Sequence, residues 1–472
     1  MIDLSGMNVA VIGLGVSGVA AARLAAEKGG EVYVSDSRTE NAVAARRTDL
    51  GSGIEVELGA HDIERMVDAD FVVASPGIPA GAPVLQSLAE RGVKWISEPE
   101  FASRFLDASL IGITGTNGKT TTTLLVNHLL HASGLSSVAG GNVGGGLAPA
   151  ASDLARLPET ERPEWIILEM SSFQLAGVET FRPDIGLVTN LSPDHLDRYA
   201  SVDAYYSDKA KLFDNATEES VWVFPADDDE VERLADGALG RRYTFGSGSG
   251  SSAFVDEGQL TLNLAGDLEP VLLREELPLL GAHNVTNALA AALTARLAGA
   301  GSGGVTAGLG SARALPHRLE PVADHAGVLW INDSKATNVA ATRSALGSLD
   351  RSIILLLGGK DKGEDFRQLA EAIGERVRVV VGYGSAGARA INELSSVLGV
   401  SVGVADEALE ESGSGPVLRL VEGSLEEVVA SAGSWAKSGD VVLLSPACSS
   451  FDMYENYEHR GQHFTLLARA GV

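Results

Sequence analysis

Short runs of consecutive apolar residues, each closed by glycine or a polar cluster, recur along the chain. Met7–Ile12, Glu31–Ser35, Phe71–Ala74, Val93–Ile96, Ser109–Ile113, Trp165–Glu169 and Ile185–Asn190 read as strands, as do Val328–Asn332, Ile353–Leu357, Val377–Val381 and Val441–Leu444. Runs apolar on both alternating faces suit strands covered on both sides, as in parallel sheets. Between them lie helical stretches: an alanine-rich one ending near Lys28, one from Lys119 to about Ala132, and another introduced by Gly281–Asn287. This alternation predicts an α/β chain of three domains. A Rossmann-like domain is expected over 1–107, a central phosphate-loop ATPase-like sheet over 108–315, and a second Rossmann-like domain over 316–472. The polar stretch Gly246–Ser252 reads as a loop between strands.

At 472 residues the chain is too long for a single core. No run approaches the roughly 18 apolar residues that cross a membrane, and Met1–Met7 lacks the charged-then-apolar order of a signal peptide. The single cysteine, Cys448, excludes an internal disulfide framework and reads as a buried core residue, so a cytoplasmic location is expected. A formal net charge of -27 argues against nucleic acid as a partner. It also requires any anionic ligand to be met by locally placed cations. Only nine of the 36 basic residues are lysine, and four of those (Lys119, Lys209, Lys335, Lys362) fall inside motifs. A lysine kept where arginine is the default suggests chemistry that wants a compact, modifiable amine.

The strongest chemical signal is Gly115-Thr-Asn-Gly-Lys-Thr-Thr121, between the strand Ser109–Ile113 and the helix that opens at Lys119. A glycine turn at a helix N-terminus presents free N–H groups to phosphate, Lys119 reaches the terminal phosphates, and the Thr120 hydroxyl suits Mg²⁺. The general motif wants glycine where this chain has Ile113. Gly13-Leu-Gly-Val-Ser-Gly18, followed by a helix, a strand and Asp36, fits a dinucleotide fold, and equally any diphosphate on the same helix start. Ser75-Pro-Gly77 ends a strand of that domain. Glu169 ends a strand beside the phosphate loop, where a carboxylate suits Mg²⁺. His195 follows another strand, and Gly140–Gly146 is a glycine-rich loop. Asn284 and Asn287 are spaced to reach a base edge, or Asn284 caps its helix. In the last third, Asn332–Asn338, Gly358–Lys362 and Ser445–Ser450 each follow a strand, and three such clusters point to one cleft.

Together these motifs resemble the Mur ligase family along the whole chain. Gly115–Thr121 is that family's form of the phosphate loop, which accounts for Ile113. Leu168-Glu-Met-Ser-Ser-Phe-Gln-Leu175, Asp194–Tyr199, Gly281-x-His-Asn-x-x-Asn287, Leu315-Pro-His-Arg318, Asn332–Asn338 and Ser445-Pro-Ala-Cys448 are further landmarks. The last two resemble the members that use D-glutamate. The resemblance implies that the first domain holds UDP-N-acetylmuramoyl-L-alanine rather than NAD, with Val16, Ser17, Ser37, Arg38, Ser75, Gly77, Asn142 and His195 near it. It implies ATP contacts at Gly115, Thr116, Asn117, Gly118, Lys119, Thr120, Thr121, Asn284, Asn287, Arg318 and Asp333. D-Glutamate falls to Lys335, Thr337, Lys362, Ser450 and Tyr457, the last standing where phenylalanine is usual. Two Mg²⁺ sites are implied, at Thr120, Glu169, His195 and a carbamylated Lys209, together with a monomeric state. No nucleophile pair is visible, so direct phosphoryl transfer to a carboxylate, and then amide formation, is expected. Lys119, Glu169, His195 and Lys209 are the catalytic candidates. The rival readings are an NAD-dependent dehydrogenase and a non-catalytic nucleotide-gated binding protein.

Overall fold

The computed structural model describes residues 2–471 except 40–42, 44–45, 80, 145, 197 and 405–414. Gly145 of the glycine-rich loop and Asp197 of the Asp194–Tyr199 motif thus lie outside the described residues. Contacts divide the chain into two compact units, Met1–Leu277 with Val285–Ala312, and Pro278–Asn284 with Arg313–Val472.

The first unit contains two sheets. β1 (Asn8–Ile12), β2 (Glu31–Asp36), β3 (Glu55–Leu58), β4 (Phe71–Ala74) and β5 (Ile96–Ser97) form a parallel sheet in the order 3-2-1-4-5. Val9 and Val11 enter one core and Ala10 and Ile12 another, so both faces of β1 are covered. The second sheet has nine strands: β6 (Ser109–Thr114), β7 (Ser137–Gly141), β8 (Trp165–Glu169), β9 (Ile185–Val188), β10 (Val221–Pro225), β11 (Arg241–Phe245), β12 (Ala253–Asp256), β13 (Gln259–Leu264) and β14 (Asp267–Leu273). Their order is 14-13-12-11-10-9-6-8-7, parallel from β7 to β12 and antiparallel from there to the edge.

The second unit holds β15 (Glu320–His325), β16 (Val328–Asn332), β17 (Ile353–Gly358), β18 (Val377–Tyr383), β19 (Val402–Val404), β20 (Val417–Leu420) and β21 (Val441–Leu444), in the order 15-16-21-17-18-20-19. Along β17, Ile353, Leu355 and Leu357 face one core and Ile354 and Leu356 the other. A run with no alternation therefore becomes a strand buried on both faces.

Three expectations differ in detail. Only Ile96 of Val93–Ile96 is in a strand, because the Val93 amide bonds back to Leu88 O and closes the preceding helix. Thr189 and Asn190 leave the β9 ladder and turn to the phosphate loop instead. Asn284 is inside the helix Ala282–Leu297, with its side chain donating to Leu280 O, so it is not a cap.

Helix Glu98–Ser103 explains why the first two sheets share one unit. Glu100 is fully buried and accepts from the amides of Glu179, Thr180 and Phe181, the Thr180 hydroxyl and Arg104. Its neighbour Glu98 accepts from the Ser152 amide, and burial pushes its carboxyl up to about 7. Removing a buried carboxylate strands every donor that it satisfied. Glu100→Ala should lower stability by roughly 3 kcal/mol, seen as a lower urea midpoint, and an unchanged midpoint would contradict this.

Candidate functional site

In the five-stranded sheet the connection reverses between β1 and β4, and the loops after β1, β2 and β4 meet there. This is where open α/β sheets bind ligands. Val16 and Ser17 open the helix Val16–Glu27, Ser37 and Arg38 follow β2, and Ser75 and Gly77 follow β4. Asp36 is buried and occupied. It accepts from the Leu14 amide at 2.6 Å and pairs with Arg38 at 2.7 Å, and Arg38 holds its carboxyl down at about 2. With the Arg38 amide, Nε and Nη2 and the Leu14 amide all donating to it, Asp36 has its four acceptor sites filled and is not available to a ribose hydroxyl, which removes the feature that favoured NAD.

The phosphate loop runs from β6 into helix Lys119–Ala132. Gly115 has φ +136°, and a side chain there would collide with Thr189. Gly118 has φ +81°, and a Cβ would stand 2.5 Å from Asn287 Oδ1. Both positions therefore need glycine. Asn190 clamps the loop with two bonds to the Asn117 backbone, each 3.0 Å, and the Thr189 hydroxyl donates to Asn117 O at 2.6 Å.

Two ammonium groups converge beneath this loop. Lys119 Nζ donates to Gly115 O at 3.0 Å and Thr116 O at 2.8 Å. Lys209 Nζ donates to the same Gly115 O at 2.7 Å, and it lies 4.7 Å from the centre of the Tyr205 ring. Lys209 is only 2% exposed. Burial first, and then the charge of Lys119, hold its ammonium well below the ordinary lysine range. Glu169 ends β8 beside it. Its Oε1 accepts from Asn142 Nδ2 at 3.1 Å, and its buried Oε2 has no hydrogen-bond partner among the described residues. His195, at φ +54°, packs its exposed ring on Phe173 and edge-on to Tyr205. Among the described residues no three His, Cys, Asp or Glu side chains converge as a metal site.

The second unit gathers its polar clusters at the C-terminal ends of β16, β17 and β21. Lys335 Nζ lies 5.3 Å from the Tyr457 ring centre, and Lys362 Nζ donates to Thr337 O at 3.2 Å. Ser450 is buried next to Ser449, which bridges to Lys360. Asp333 follows β16 and accepts from the Ser445 hydroxyl at 2.8 Å and the Leu319 amide at 3.2 Å. A cleft of about 520 Å³ lined by Asp350, Arg351, Arg376 and Arg378 lies at the opposite, N-terminal strand ends, away from these groups.

Three family models cover the chain in order: Mur ligase MurD-like, N-terminal domain, over residues 7–97; Mur ligase middle domain over 113–295; and Mur ligase, glutamate ligase domain, over 317–448. The chain is 40% identical over 473 residues to the UDP-N-acetylmuramoylalanine--D-glutamate ligase of Acidobacterium capsulatum, covering 99% of this chain and 97% of that one. The protein of the same name from Salinibacter ruber is 39% identical, with 97% and 96% covered. This chain belongs to the Mur ligase family. Among solved structures, the MurF ligase of Thermotoga maritima in complex with ADP is similar in fold, with TM-score 0.57 and 14% identity over 99% of this chain and 96% of that one.

Within this Mur ligase fold, the first unit brings together Gly115, Thr116, Lys119, Asn142, Glu169, Lys209 and Asn287. Thr120 and Thr121 are in the first helical turn, and the His195 ring meets Tyr205, which borders the group. Asn284 falls in the second unit and Asn287 in the first, although one helix carries both. In the second unit Asp333 feels the charge of Arg318, and Lys335 pairs with Tyr457 and Lys362 with Thr337. Sequence reasoning missed Thr189, Asn190 and Tyr205. Their signal was their position just after a strand of the same sheet, or one helical turn from Lys209.

Asp333 carries a pH consequence. Burial pushes its carboxyl up to about 7, against Ser445, the Leu319 amide and Arg318. Unfolded, it titrates near 4. Ionising it in the fold is therefore a penalty that is absent at low pH, grows as pH rises towards 7, and is constant above. Asp333→Asn should gain stability over the wild type as pH rises from 4 to 8, reaching roughly 4 kcal/mol. A difference independent of pH in urea denaturation would contradict this.

Proposed function

We propose that this chain joins D-glutamate to UDP-N-acetylmuramoyl-L-alanine with cleavage of ATP, a cytoplasmic step of peptidoglycan precursor synthesis that supports the cell wall, cell shape and division. The observation that carries this reading is near-full-length identity of about two residues in five to relatives named for that reaction. The protein acts as a monomer, without membrane insertion or nucleic acid. Residues 1–107 hold the UDP end, with Val16, Ser17, Ser37, Arg38, Ser75 and Gly77 around it, and Asn142 and His195 reach the sugar side. Residues 108–315 bind ATP, and 316–472 bind D-glutamate.

The γ-phosphoryl group passes from ATP to the carboxylate of the UDP substrate, and ADP leaves. The amine of D-glutamate then attacks the acyl carbon, phosphate departs, and the nitrogen loses a proton as the amide forms. Lys119 and the N–H groups of the Gly115–Thr121 loop hold the phosphates in line and offset their charge. Asn287 and Asn284 bind adenine, Asp333 the ribose, and Arg318 a phosphate. Lys335, Thr337, Lys362, Ser450 and Tyr457 orient the amino acid, the two ammonium groups meeting its carboxylates.

Bound Mg²⁺ would supply further charge neutralisation on the phosphates. Thr120, Glu169, His195 and a modified Lys209 would hold it at two sites, and the unpartnered Glu169 oxygen fits an oxygen-seeking cation. The modification is a carbamate. The neutral amine of Lys209 adds to the carbon of CO₂ and releases a proton, leaving an anionic oxygen ligand. The burial of Lys209, and then its crowding against Lys119, support this, because both favour the neutral amine that the addition requires.

Phosphate release assayed over a panel of amino acids tests the reading. D-Glutamate should be strongly preferred, and a preference for L-glutamate or L-lysine would overturn it. Lys119→Ala should abolish turnover while UDP-substrate binding persists. Lys209→Ala should lose activity and recover part of it with added acetate. Lys211→Ala, whose ammonium donates to Ala176 O away from the loop, should be nearly silent. A fully active Lys209→Ala enzyme would overturn the carbamate.

A further inference from the structure

Arg460, near the start of the helix Tyr457–Ala470, is 1% exposed, yet all its hydrogen bonds go to uncharged oxygens. Nε donates to Ser334 Oγ at 2.9 Å, Nη2 to Ser334 O at 2.8 Å and Cys448 O at 3.1 Å, and Nη1 to Ser449 O at 3.3 Å. Ser334 Oγ in turn donates to Tyr457 O at 2.8 Å. A Cβ built on Gly359 would lie 3.0 Å from Nη1, so the guanidinium also abuts the Gly358–Lys362 segment. That segment is tied to the same place by the Lys360 amide on Ser449 O at 2.8 Å.

One side chain therefore touches all three polar clusters of the second unit. Ser334 precedes Lys335, Ser449 precedes Ser450, and Tyr457 is within the same helical turn. A buried guanidinium without a carboxylate is costly, and backbone carbonyls offset it only in part. Asp361 and Asp452 act on Cys448 from nearby, but none of the guanidinium's hydrogen bonds goes to them. Five donors in a planar fork can bind three separate segments at once, which an ammonium cannot do.

We propose that Arg460 is the positioning residue of the amino-acid half of the site. It fixes Lys335, Ser450 and Tyr457 relative to one another through its bonds to Ser334, Cys448 and Ser449. The inference rests on the reading of D-glutamate as the incoming amine. It goes beyond that reading by assigning the selectivity of these loops to a side chain that no substrate need touch.

Arg460→Lys keeps the charge and loses the fork, and Arg460→Gln loses both. The KM for D-glutamate should rise about tenfold in the first and about a hundredfold in the second. The KM for ATP and for the UDP substrate should stay within about twofold in each, a split that general destabilisation does not produce. If Arg460→Gln fails to fold, Arg460→Lys decides alone, and failure of both to fold overturns the proposal in favour of a purely structural role. A folded variant with unchanged KM for D-glutamate also overturns it, as does a parallel rise for ATP. Wild-type enzyme without D-glutamate-dependent turnover would instead refute the reading on which the proposal rests.

Discussion

Two lysine ammonium groups share one carbonyl oxygen, Gly115 O, and much of the first unit is arranged around that crowding. Like charges this close, in a place that water barely reaches, cannot both be comfortable. The fold leaves two ways to relieve the conflict. Phosphate can bind above and draw in Lys119, or the buried Lys209 can give up its proton. Lys209 bears the larger penalty because it is enclosed by β6, Tyr205 and the loop itself. The positive φ at Gly115, the Thr189–Asn190 clamp and the nearby unpartnered Glu169 oxygen all belong to this one electrostatic arrangement.

The second unit solves a related problem differently. In the proposed reaction it offers cations to an acidic ligand inside a strongly acidic protein, at the ends of strands whose interiors are apolar. The loops there have little hydrophobic surface to order them. Their order comes from polar side chains, with Asn332 bonded to His317, Gly461 O and Thr465, and Arg460 bonded to the other segments. Such networks are rigid when every donor is satisfied, which is what placing Lys335 and Ser450 requires.

Much of this could be read from the chain because it is local. Gly115–Thr121 is contiguous, and its strand, turn and helix appear where the apolar run and the glycines put them. Of two lysines in one short segment, Lys209 is enclosed while Lys211 bonds to Ala176 O at the outside. What escaped was whatever depends on distant partners. Arg460 was not singled out, because Ser334 lies more than a hundred residues earlier and nothing local marks the carbonyls of Cys448 and Ser449 as its acceptors. Glu100 was not singled out either, since its acceptor role is met by amides some eighty residues further on. The antiparallel β12–β14 edge was also not read, since its strands mix polar and apolar residues around tight turns. Val93–Ile96 was read as a longer strand than it is, because its apolar residues close a helix before they reach the sheet.

In the proposed reaction the carboxylate of the UDP substrate is phosphorylated before D-glutamate attacks. Labelling that carboxylate with ¹⁸O, running one turnover with ATP and D-glutamate, and weighing the released phosphate tests it most directly. Transfer of one ¹⁸O atom to inorganic phosphate, with ADP and the glutamyl product formed in equal amounts, is the predicted result. Unlabelled phosphate, or label recovered in a nucleotide monophosphate, would contradict the account.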